Sequence, residues 1–245
     1  KFFGATVAEI AEGFYFSVDP DDNGDHSDGA AVLSNSWGFA DGVFAPADTV
    51  TAINFAANSG RNGLGCLVLF ASANSDHTVN GISALAQLPT TMAVGGTNSN
   101  TMHTEFSDIG PEVGITTPTN DRGDDGVRFS WIDITTVDNT GSSGYNGIPS
   151  EPDYTNAFGG TSSATPLAAG ILGLIISQDP AMTAAQARAI LQHNAVRIDE
   201  PYGRFDPITG HSHRYGFGRS DAGLAVSAAH GGTRWPDRIK TLSAS

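Results

Sequence analysis

The chain is poor in three things, and each shortage excludes something. It has one cysteine, Cys66, in 245 residues. A lone thiol cannot form an internal disulfide, and Cys66 falls in an apolar run where a cysteine is structural and inert. Basic residues number 12 against 26 acidic ones, for a net charge of −14. Nucleic-acid binding needs a basic footprint, so it is not expected here. No apolar run reaches the roughly 20 residues that span a bilayer, so no membrane partner is expected. Internal repeats are also missing. A chain of this length buries about 70–75 % of its unfolded surface, enough for one globular domain.

What is present is concentrated in Gly159-Gly160-Thr161-Ser162-Ser163-Ala164-Thr165-Pro166-Leu167-Ala168-Ala169-Gly170. Paired glycines permit a sharp turn, and a run of small and apolar residues after it reads as a helix over 162–177. Ser162 then sits at the mouth of that helix, where unpaired N–H groups and the positive dipole end face developing negative charge. The spacing puts Pro166 in the first turn, where a missing N–H costs little. A serine in this place could also be an ordinary N-cap. It is not the nucleophile elbow of α/β-hydrolases, because Ala164 stands where that motif needs a second glycine.

Upstream, 66–72 is a continuous apolar run of strand length, as expected of a central parallel strand, and it closes in Ala73-Asn74. A second strand-like run, 30–35, leads into Ser36-Trp37-Gly38. Helices are expected over 5–16, around Val50, Ile53 and Ala57 up to Gly60, over 183–195 behind the cap Thr183, and briefly after Tyr215-Gly216-Phe217-Gly218. Shorter strands are expected at 91–95 and 113–116, and 119–154 reads as a long polar, irregular stretch. Such alternation predicts a parallel α/β sheet with crossover helices in a domain over 1–230, followed by a tail at 231–245.

These motifs, in this order, resemble the subtilisin-like serine proteases (peptidase S8), and the Ser-Trp-Gly and Pro-Leu-Ala-Ala-Gly details resemble the kexin and proprotein-convertase branch most. The resemblance implies a three-layer α/β/α fold and a serine endopeptidase in which Ser162 is the nucleophile. Asn74 would lend its side-chain amide to the oxyanion, with Ser36, Trp37, Gly38, Asp41, Ala73 and Thr161 lining the substrate. In that family the catalytic Asp and His precede the substrate-binding strand. The sequence starts downstream of that point, so the catalytic Asp and His and the N-terminal strands of the sheet are expected to lie before Lys1. The two groups would come from an upstream segment or a complementary chain. Of the seven histidines, none begins a helix with a His-Gly-Thr-like motif, and the local pairs Asp25-His26 and Asp76-His77 do not make triad geometry. The other reading is an inactive peptide-binding relative.

The convertase likeness also implies recognition of basic side chains before the scissile bond. Asp41 matches one expected carboxylate, whereas Asn80 stands where a second would be, which weakens the Coulomb attraction. Asp19-Pro20-Asp21-Asp22-Asn23-Gly24 has oxygens at positions one, three and five of a calcium loop, from Asp19, Asp21 and Asn23, and glycine at six. Ala30 at position twelve excludes an EF-hand; the alternative is a solvated acidic turn. The resemblance places the protein outside the cytoplasm or secreted.

Overall fold

The structure, a computed structural model, describes residues 5–39, 43–75, 82–120, 134–144, 148, 150–200 and 202–231. The elements run α1 (Val7–Val18), β1 (Val32–Asn35), α2 (Ala47–Ser59), β2 (Leu67–Ala71), β3 (Thr91–Thr97) and β4 (Val113–Pro118). Then follow β5 (Ile134–Val137), β6 (Tyr154–Phe158), α3 (Thr161–Gln178), α4 (Ala184–His193) and α5 (Ala222–Gly231). Helix α1 starts later than position 5 because Thr6 caps it. The Thr6 hydroxyl accepts the Glu9 N–H at 3.2 Å, and the Glu9 carboxylate accepts the Thr6 N–H at 2.6 Å. The same reciprocal pair, Thr183 with Gln186, opens α4.

Strands β1, β2, β3 and β4 lie in that order in one parallel sheet. Its two faces are covered by different helices, and the alternation along the strands divides the core in two. Val68 and Phe70 face α1 and α2, packing with Ile10, Phe14, Val18 and Ile53. Leu67 and Leu69 face the other way, with Met92, Val94 and Ile115, against Ala164, Ala168, Leu172 and Ile175 of α3 and Leu191 of α4. This is the parallel sheet with crossover helices expected from the alternating pattern, in the three-layer α/β/α arrangement that the resemblance implied. Helix α3 packs against all four strands of the sheet, which its small residues permit by letting backbones come close.

Within the stretch expected to be irregular, β5 and β6 pair antiparallel as a separate two-stranded ribbon. Strand β6 runs directly into Gly159-Gly160 and α3. The expected tail falls outside the described residues except for Gly231, which ends α5. Cys66 is buried, its Sγ 2.9 Å from the Ala30 carbonyl oxygen, and burial pushes its thiol pKa up to about 11, as expected for an inert cysteine.

Candidate active site

The carboxyl ends of β1, β2 and β4 meet at one point, the turn that opens α3. Gly160 has φ 74° and ψ 175°, a conformation essentially closed to residues with a Cβ. After it, Thr161 is fully buried, whereas Ser162 is half-buried. The Ser162 N–H lies in the first helical turn, where no carbonyl of the helix precedes it.

Asn74 follows β2. Its Oδ1 accepts the Thr161 N–H at 2.8 Å and is 3.0 Å from the Thr161 hydroxyl. An N–H can only donate, so this contact fixes which end of the carboxamide is oxygen and leaves Nδ2 as the donor. That Nδ2 lies 3.2 Å from where a Cβ on Gly160 would be. The peptide before Asn74 is turned by Ala73, whose φ of 87° is unusual for a residue with a side chain. Two donors grip its carbonyl, the Asp108 N–H at 3.2 Å and the Thr161 hydroxyl at 3.3 Å.

Pro166 is the sixth residue of α3, in the second turn rather than the first. Its missing N–H therefore releases the carbonyl four residues back, that of Ser162. The Ser36 hydroxyl, just beyond β1, donates to that carbonyl at 2.8 Å. Thr117 of β4 likewise donates to the Ala164 carbonyl at 2.6 Å. Trp37 turns its ring inward, edge-on to Phe70 at 5.5 Å, and its Nε1 donates to Asn35 Oδ1 at 3.1 Å. Gly38 is exposed, and a Cβ there would meet Ser83 Oγ at 2.6 Å. Asp41 and Asn80 lie outside the described residues. The structure thus gathers Ser162, Asn74, Ala73, Thr161 and Ser36, and packs the partly buried Trp37 ring against the core.

The subtilase family model matches residues 4–218 of the chain. The chain is a subtilase. It is 35 % identical over 219 residues to a calcium-dependent protease of Trichormus variabilis, an alignment covering 82 % of this chain and 32 % of that protein. Candida albicans kexin is 25 % identical over 233 residues, covering 89 % of this chain and 21 % of the kexin. This subtilase thus spans about a third or less of the length of these relatives. Among solved structures, the prenylagaramide maturation protease PagA superposes with a TM-score of 0.63 at 18 % identity, over 91 % of this chain and 68 % of that one. That likeness concerns the fold.

The six described histidines of this subtilase are placed in other surroundings. The His26 Nδ1 is 2.9 Å from the Ser59 carbonyl. His103 is packed edge-on to Tyr215, and burial pushes its pKa down to about 4, so it is neutral. His193 and His211 both lie edge-on to Phe217, and His213 neighbours His211. His230 reaches Gln178. His77 lies outside the described residues.

The acidic loop closes on itself. Asp19 accepts the N–H groups of Asn23 and Gly24 at 3.1 and 2.8 Å, and Asn23 Oδ1 accepts that of Asp25 at 2.7 Å. Among the described residues no three His, Cys, Asp or Glu side chains converge as a metal site needs. Asp19 and Asn23 thus hold this turn together through their side-chain oxygens.

Two participants gave no periodic signal in the sequence. Thr119 and Asn120, just beyond β4, hydrogen-bond the carbonyl and the N–H of Gly160. The only hint was compositional, a Thr-Asn pair following a strand.

Proposed function

We propose that this subtilase chain supplies the nucleophile and oxyanion half of a serine endopeptidase site. Ser162 Oγ attacks the scissile carbonyl carbon and passes its proton to an imidazole. The carbonyl π pair moves to oxygen, where Asn74 Nδ2 and the Ser162 N–H receive it. Collapse returns the proton to the leaving amine, and water then hydrolyses the acyl-enzyme by the same route. The imidazole and its orienting aspartate come from polypeptide outside these 245 residues, either upstream or on a complementary chain. The observation that carries this reading is the Asn74 carboxamide, anchored through Oδ1 on Thr161 so that Nδ2 remains as a donor beside the serine turn.

The substrate is a peptide or protein laid along Ser36–Gly38. The kexin likeness and Asp41 favour Arg or Lys before the scissile bond, and the net charge of −14 attracts cationic peptides. The name of the Trichormus relative supports a calcium requirement here too. The placement of the described histidines favours a second reading, a peptide-binding subtilase without catalysis. A polypeptide joining this chain to its upstream segment decides between them. Under the first reading it cleaves Arg-containing peptides faster than Phe-containing ones, loses activity in Ser162→Ala, and is slowed by chelation. Hydrolysis absent from the wild type, or undiminished in Ser162→Ala, would refute the first reading.

A further inference from the structure

Gly160 has two flanking peptide groups, and both are held by the adjacent pair Thr119 and Asn120. Its N–H donates to Asn120 Oδ1 at 2.6 Å. Its carbonyl accepts the Thr119 hydroxyl at 2.6 Å and the Ser163 N–H at 3.0 Å. The Thr119 and Ser163 hydroxyl oxygens are 2.7 Å apart, so Ser163 can donate to Thr119 while Thr119 donates to the carbonyl. All three residues are buried. Gly159 is held by shape, since a Cβ on it would lie 2.3 Å from Asn120 Cγ. Neither Thr119 nor Asn120 occupies a position that the nucleophile motif contains.

The Gly160–Thr161 peptide links this grip to the oxyanion side. Thr119 binds its oxygen, and Asn74 Oδ1 binds its N–H. A peptide is planar, so the plane cannot turn without straining both contacts. Glycine at φ 74° imposes little of its own, and the turn must be fixed by its neighbours.

We propose that Thr119 and Asn120 are positioning residues: they lock the Gly160–Thr161 peptide and through it aim the Asn74 amide and the Ser162 backbone. This rests on the roles proposed above for Ser162 and Asn74. Thr119→Val keeps the shape and removes the hydroxyl. In the polypeptide used above, it lowers kcat about 10–100-fold with KM nearly unchanged, the scale expected for misplaced reacting groups. Thr119→Ser restores the rate. In an Asn74→Ala background the Thr119→Val loss shrinks to about 3-fold or less, because the donor it aims is gone. A residue that only supports the fold would give the same loss in both backgrounds, with no rescue by serine, and either result overturns the proposal. Should Thr119→Val fail to fold, Asn120→Ala against Asn120→Asp, which keeps the acceptor, makes the same comparison.

Amide exchange separates this proposal from the catalytic reading. Thr119→Val speeds exchange at Thr161 and Asn120→Ala at Gly160, whether or not Ser162 is active. Unchanged exchange at both sites would overturn the clamp even in an active enzyme. Faster exchange in a polypeptide without Ser162-dependent turnover would uphold the clamp and discard the catalytic reading.

Discussion

The turn before Ser162 and the acidic loop after α1 are made of similar material, glycine with short oxygen-bearing side chains, and are held in opposite ways. In the loop, Asp19 bonds to residues four and five positions on, and Asn23 and Asp25 to residues two positions on. Its distant ties all run to the end of α2 and the turn after it: Asn62 donates to Asp25 and accepts the His26 N–H, and the His26 Nδ1 is 2.9 Å from the Ser59 carbonyl. In the turn, the partners come from Ser36, Asn74, Thr119 and Asn120, between 40 and 126 residues away. Local bonds of the first kind form in an isolated segment and compete with water. Those of the second kind exist only once the sheet is assembled, so the turn carries the geometry of the whole fold and the loop carries only its own.

The largest expected difference between the regions is in turnover. Asn74→Ala slows the complemented enzyme by about 10²–10³, the range known for removing one such donor in a subtilisin. Asp19→Ala leaves kcat within about 2-fold, since an exposed local turn touches no reacting group. Comparable losses in steady-state kinetics would erase the distinction.

Glycine replacements compare the regions in stability. Gly159→Ala drives a methyl into Asn120 and costs about 1–3 kcal/mol in urea unfolding, as overpacking does. Gly24→Ala, at φ 79° with open space around it, costs about 1 kcal/mol for the left-handed backbone alone. A Gly24 cost equal to or above the Gly159 cost would break the comparison.

The smallest effect is in acid. The Ser27 N–H, followed by the Asn62 amide, holds the exposed Asp25 carboxyl below its ordinary value. Below that ordinary value the unfolded chain binds the proton first. The contribution is therefore present above the unfolded pKa and fades as pH falls through the lower folded one. Stability measured down this range should fall less steeply in Asp25→Asn. The bonds holding the Ser162 turn come from amides, hydroxyls and backbone and add no such slope.

The same contrast explains what could be read in advance. The continuous apolar run of 66–72 and the small and apolar residues along 162–177 are local patterns, and β2 and α3 lie where those patterns put them. Thr6 with Glu9 was a legible capping box that moves the start of α1. The β5–β6 ribbon escaped notice because its partners are separated by a polar, glycine-bearing stretch, and pairing across it leaves no periodic trace. Thr119 and Asn120 escaped for a stronger version of this reason: they serve a glycine 40 residues on, and nothing near them in sequence records it. Ser36 was singled out through the resemblance, as a residue expected to line the substrate. Its bond to the carbonyl freed by Pro166 was not, because that needs both ends of the fold.

Quantitative labelling of Ser162 by a fluorophosphonate probe tests the account most directly. The turn and Asn74 are built within this chain, whereas the reading proposed above takes the base from outside it, and a serine without a base is a poor nucleophile. The 245-residue chain alone is therefore predicted to label at a feeble rate. Addition of the upstream segment raises the rate by orders of magnitude, and Ser162→Ala abolishes it. Rapid labelling of Ser162 in the isolated chain would contradict the account, because one of its own histidines would then have to serve as the base.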